Sequence, residues 1–122
     1  MGTCTLQVFE DEVRPVITGP GRVIGELNRN LARLQLDQFV EIREGSFANV
    51  EDKGFRFLFV DSMHTPEEIA RNAPHLQRHL RPGVILACHD LNCHPDNESA
   101  LRETFNYGHT FTVDATFVGE IV

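Results

Sequence analysis

Phe55-Arg56-Phe57-Leu58-Phe59-Val60-Asp61-Ser62-Met63-His64 (55–64) and Val84-Ile85-Leu86-Ala87-Cys88-His89-Asp90 (84–90) together decide how this chain is read. Each is an apolar run that ends in a cluster of ionisable side chains. Between them lies a well-signalled helix. Thr65-Pro66-Glu67-Glu68 is a capping box with proline at the first helical position, which satisfies the free amides of the first turn. Ile69, Ala73, Leu76 and Leu80 recur at helical spacing. Arg78, His79 and Arg81 suit the negative end of the helix dipole, and Pro82-Gly83 stops the helix. Strand, helix and strand in this order make a crossover unit, so the two strands run parallel and their carboxyl ends share one edge. Open α/β sheets bind ligands in the crevice outside that edge. Two acidic and imidazole clusters are therefore expected to face one crevice.

Downstream, the pattern stays regular. Val84–Ala87 is continuously apolar, as in a parallel strand buried on both faces. His94–Asn97 reads as a polar turn, and Ser99–Tyr107 as a helix with Leu101 and Phe105 facing inward and Gly108 ending it. Thr110–Val113 and Thr116–Val122 read as a closing hairpin around Asp114-Ala115. Upstream, Phe39–Arg43 reads as a strand entering the turn Glu44-Gly45-Ser46.

The segment before it has two readings. In one, Thr5–Glu10 is a strand, Gly19-Pro20-Gly21 a turn and Arg22–Leu36 a helix with Val23, Leu27, Leu31 and Leu34 on one face. In the other, Leu6, Phe9, Val13, Val16 and Ile17 form a helical stripe and Arg22–Glu26 is the strand. The first keeps Asn28–Leu36 in one long helix. Gly25 counts against the first and Pro15 against the second.

The class is α/β, a truncated Rossmann-like, mostly parallel sheet flanked by helices with an antiparallel hairpin at its end. At 122 residues, with 41% hydrophobic positions and nine Phe, the chain is expected to form one domain with its own core. The net charge of -7 removes the basic field that nucleic acid or an anionic membrane would require. No apolar stretch reaches the roughly 20 residues of a spanning helix. No basic-then-apolar leader pattern opens the sequence. Three cysteines without a framework fit reduced thiols, so the expected location is cytoplasmic.

The run from Phe39 to Asp90 resembles class I S-adenosylmethionine-dependent methyltransferases, most closely the metal-dependent O-methyltransferases of the macrocin type and the cephalosporin-hydroxylase-like and rhamnosyl groups. Four motifs carry the resemblance in order and spacing: Gly45-Ser46, Asp61-Ser62-Met63-His64, Arg81-Pro82-Gly83, and His89-Asp90. One departure is plain. These families open with a strand and a Gly-x-Gly turn, and only Gly2-Thr3-Cys4-Thr5 or Gly19-Pro20-Gly21 stands where that turn belongs. The missing strand normally sits mid-sheet, and its loss leaves an edge that invites association. A homodimer, with or without exchanged elements, is the expected partner state.

The resemblance implies S-adenosylmethionine as cofactor and a divalent metal such as Mg²⁺ or Mn²⁺ that holds a small hydroxylated substrate. The metal is expected at Asp61, His89 and Asp90; His64, the residue type whose ordinary pKa lies near neutrality, is the candidate general base; and Glu10 (Glu26 in the second N-terminal reading), Gly45 and Ser46 are candidate cofactor contacts. Met63 stands where macrocin-type enzymes carry an acidic base. The plainer readings are a turn-capping Asp61, a hydrogen-bonded strand-end His89, a turn histidine at 64 and solvated acids elsewhere. The repeated Cys88-His89 and Cys93-His94 pairs lack the ligand spacing of a structural zinc site, and Cys88 reads as a small buried hydrophobe. His75 and His79, a helical turn apart, read as a solvated face. The rival function is a degenerate, non-catalytic Rossmann-like domain that serves as a binding or oligomerisation module.

Overall fold

Thr65 makes the cap its sequence promises. In the computed structural model, which describes residues 9–51 and 53–122, its Oγ1 accepts a hydrogen bond from the Glu68 amide at 3.3 Å. Contacts divide the chain into two compact units between Glu44 and Gly45.

In the first unit, Phe9–Val13 forms a π-helical turn that leads into helix α1 (Arg14–Thr18), and helix α2 follows at Arg22–Arg33. Both N-terminal readings are therefore half right. The stripe over 9–17 is helical, because Pro15 lies in the first turn of α1, where an amide is unpaired anyway. Arg22 onward is helical too, because Gly25 sits where the Pro20 carbonyl approaches the helix too closely for a Cβ. Thr5–Val8 lies outside the described residues. Phe39–Arg43 forms no strand, Phe39 is 77% exposed, and no strand pairs with this segment among the described residues.

The second unit carries a four-stranded sheet: β1 (Phe57–Val60), β2 (Ile85–Cys88), β3 (Tyr107–Val113) and β4 (Thr116–Ile121), in the order β1-β2-β4-β3. The helix α3 (Pro66–Gln77) crosses from β1 to β2, which pair parallel in the register Phe57 with Ile85 through Val60 with Cys88. The turn before β2 is type II in form: the Val84 amide donates to the Arg81 carbonyl at 3.0 Å, with Pro82 leading and Gly83 at φ +89°. β4 lies antiparallel to β2 and forms with β3 the hairpin expected around Asp114-Ala115.

Helix α4 spans Asn97–Thr104, starting earlier than its periodicity suggests and ending before Tyr107. Tyr107 and Gly108 belong to β3, since Tyr107 pairs with Ile121 across the hairpin. One face of the sheet packs on α3 and α4: Val60, Leu86, Cys88, Phe117 and Ile121 meet Ile69, Ala73, Leu76, Leu101 and Phe105 in one core. The other face carries Phe57, Phe59, Phe111 and Val113, each more than half exposed.

Candidate active site

The parallel pairing does not stop at the strand ends. The His89 amide donates to the Val60 carbonyl at 2.9 Å, which sets His89-Asp90 beside Asp61 at the carboxyl edge. There the His89 Nδ1 lies 3.1 Å from Asp61 Oδ1 and 3.1 Å from Asp90 Oδ1. His64 arrives from the connection between β1 and α3, with its Nε2 3.2 Å from Asp90 Oδ2. Asp61, His64 and Asp90 each offer one ligand atom, and these atoms all lie within 4.8 Å of one another. The two clusters meet at one edge of the sheet.

His64 is held from behind by a residue whose role the sequence hid. Its backbone amide donates to Glu68 Oε2 at 2.7 Å, and its Nδ1 lies 3.9 Å from the same oxygen. That backbone hydrogen bond, with the charge of His64 beside it, holds the Glu68 carboxyl below the usual carboxylate range. Met63, at the position of the acidic base in related sequences, is 3% exposed and points into the core. It fills space in the core.

Gly45 and Ser46 form the turn expected of them. Gly45 has φ +126°, a value that favours glycine, and Ser46 Oγ accepts from the Ala48 amide at 3.2 Å to cap the short 3₁₀ turn Phe47–Asn49. Just past that turn opens a cavity of about 250 Å³ lined by Phe47, Val50, Leu58 and Val60, with Asp61 and Ser62 on its wall and His79 within it.

Other expectations fare differently. Glu10 lies in the π-helical turn and ends no strand, and Glu26 lies within α2, where it pairs with Arg29 at 2.8 Å. Gly19-Pro20-Gly21 follows a helix and so cannot serve as a strand-to-helix phosphate turn, while Gly2–Thr5 lies outside the described residues. His79 is not on a solvated face. It is 4% exposed, with its ring 5.6 Å from that of Phe55, because the chain turns back after Gln77 and the helical wheel no longer applies. Burial, and after it the Arg78 guanidinium, push its imidazole below the usual histidine value. Cys88 is the buried hydrophobe expected, its thiol pushed up to about 12 by burial, and Cys93 is exposed.

A parallel strand pair joined by a crossover helix, with acidic and imidazole side chains on its carboxyl edge, is the arrangement of a Rossmann-like α/β fold. A family model described as a methyltransferase domain matches residues 7–91. The match spans more than half of the chain, which belongs to this family and carries a class I S-adenosylmethionine-dependent methyltransferase-type domain. It ends one residue past Asp90, leaving α4 and the hairpin outside it. Comparison with curated proteins and with solved structures gives no match in either case. Among the described residues no helix is long and apolar enough to cross a membrane.

Proposed function

We propose that the carboxyl edge of β1 and β2 serves S-adenosylmethionine-dependent O-methylation of a small hydroxylated molecule, with help from a divalent ion such as Mg²⁺ or Mn²⁺. The convergence of Asp61, His64 and Asp90 is the observation that carries this reading. Ligand bonds of about 2.1 Å put opposing ligand atoms at most about 4.2 Å apart. The ligand atoms, all within 4.8 Å of one another, are close enough that small side-chain adjustments would let them hold such an ion. Two carboxylates and an imidazole suit Mn²⁺ at least as well as Mg²⁺. The cavity beyond Gly45-Ser46 is walled by apolar side chains and has room for a flat ring such as the adenine of the cofactor.

A bound cation lowers the pKa of a substrate hydroxyl, and S-adenosylmethionine supplies the methyl group. The side chains divide the remaining work. Asp61, His64 and Asp90 hold the ion. His89 Nδ1 faces two carboxylate oxygens, which fixes its proton there and leaves Nε2 to accept the hydroxyl proton. The two histidines thereby exchange the duties the sequence gave them. The free thiols of Cys88 and Cys93 support a reducing, cytoplasmic setting.

The test is Mn²⁺ binding by electron paramagnetic resonance in the wild-type chain and in Asp90→Asn and His89→Gln. Tight binding lost in Asp90→Asn and kept in His89→Gln is expected. Equal binding in wild type and Asp90→Asn would remove the metal from this edge.

One observation favours the rival reading of an oligomerisation module. Among the described residues β1 is an edge strand whose Arg56 and Val60 carbonyls accept from the Ile85 and His89 amides, so the N–H and C=O groups of Phe57 and Phe59 point away from β2. A second copy running antiparallel there would set Phe57 across from Phe59 twice. Light scattering decides it: a dimer reduced to monomer by Phe59→Lys supports this arrangement, and a wild-type mass of 13.8 kDa rules it out.

A further inference from the structure

We infer that Asn97 is a positioning residue that clamps the two ligand-bearing loops to each other, an inference that rests on the reading of this edge as a divalent-ion site. Asn97 opens α4, outside the span matched by the family model, and is 1% exposed. Its Nδ2 donates to the backbone carbonyl of His64 at 3.0 Å and to that of Asp90 at 3.4 Å. One carbonyl belongs to the connection leaving β1, the other to the connection leaving β2. Only a group with two donors can bridge two acceptors in this way, so the amide orientation is fixed: a flipped Asn97 would set an oxygen against two oxygens.

Two further facts point to the bridge as the reason for a buried polar side chain here. Asn97 Oδ1 is itself buried and has no hydrogen-bond partner among the described residues, a cost the two Nδ2 bonds must outweigh. Asp90 adopts φ 63°, ψ 34°, a left-handed conformation that is uncommon for a residue with a Cβ, although Asp tolerates it better than most, and the bonds around it hold it there. The peptide that follows Asp90 is held at both its polar atoms: the Leu91 amide donates to the Ala115 carbonyl at 3.0 Å, and the Asp90 carbonyl accepts from the Cys93 amide at 3.1 Å and from Asn97 Nδ2 at 3.4 Å. His64 Nε2 and Asp90 Oδ2 then stand 3.2 Å apart without any direct bond between their two backbones having to set that distance.

The chain as it stands tests this with Asn97→Ala and Asn97→Ser, against Leu101→Ala, a core change on the same helix that touches neither carbonyl. Two quantities are read: Mn²⁺ affinity, and hydrogen exchange at the His64 and Leu91 amides. Orienting partners behind a ligand typically control about 10-fold to 100-fold in metal affinity. Asn97→Ala is expected to weaken Mn²⁺ binding at least about tenfold and to speed exchange at both amides together, with Asn97→Ser, which keeps one donor, in between. Leu101→Ala should lower the melting temperature yet leave Mn²⁺ affinity within about twofold. Should Asn97→Ala not fold, Asn97→Ser decides alone. Exchange at the two amides that rises no more in the Asn97 variants than in Leu101→Ala overturns the clamp. Wild-type protein that fails to bind Mn²⁺ instead removes the metal reading, and the exchange comparison still decides whether Asn97 ties the loops.

Discussion

Leu86→Ala should be among the most damaging single changes in the chain, because it strikes the strand pair from which both halves of the site hang. Leu86 is 0% exposed, lies opposite Leu58 on β1 and faces Gly119 on β4. Removing three carbon groups forfeits about 0.8 kcal/mol each in transfer free energy, or about 2.4 kcal/mol. The cavity adds to this. Gly119 adds no side chain of its own and is covered by the stiff ring of Tyr107, so the total belongs in the usual range for buried leucines, about 3–5 kcal/mol. With a urea dependence of about 1.5 kcal/mol per M, the unfolding midpoint should fall by about 2–3 M. Val113→Ala, at a position 55% exposed on the open sheet face, is the control and should move the midpoint by less than about 0.5 M. If the two variants unfold at the same urea concentration, Leu86 is not at the centre of the core and the parallel pairing that aligns Asp61 with Asp90 is wrong.

The buried His79 should make stability depend on acid. Its imidazole sits below the usual value of about 6.5, so the unfolded chain takes up a proton first and stability falls as pH drops from about 6.5 toward the lowered folded value. From about pH 7.5 to about pH 5 the melting temperature of wild type should therefore fall more than that of His79→Leu, and equal falls would show that His79 is not buried in its neutral form. The two described thiols should differ sharply in reactivity. With Cys4 replaced by serine, Cys93 should react with iodoacetamide at once, while Cys88, its thiol raised to about 12, carries about a thousandfold less thiolate than an unperturbed one and should react only as fast as the chain unfolds. Equal rates would place Cys88 at the surface.

The β1-to-β2 unit was legible in the sequence because its signals are local. A capping box, a helical stripe and a Pro-Gly turn each act within a few residues, and each recurs in the structure. The segment 39–43 is apolar enough for a strand, but a strand requires a partner, and the described residues of its unit are helical or irregular. Tyr107 went to the wrong element for a related reason: its pairing with Ile121 is a contact across the hairpin that outweighs the helical pattern behind it. His79 was misjudged because the chain leaves the helix at Gln77, two residues earlier. Within the site, Asp61, His89 and Asp90 could be placed from strand ends alone. The approach of His64 to Asp90, the grip of Glu68 on the His64 amide and the bridge from Asn97 depend on how the loops fold back, which no spacing encodes.

The most direct measurement of the proposed chemistry is a calorimetric titration of the full chain with S-adenosylhomocysteine, without and with Mn²⁺, repeated on Asp61→Asn. Saturable binding that tightens with Mn²⁺, with the Mn²⁺ effect lost in Asp61→Asn, is the expected result. No heat from either ligand would contradict a cofactor and metal site at this edge and leave the family's fold in use for something other than methyl transfer.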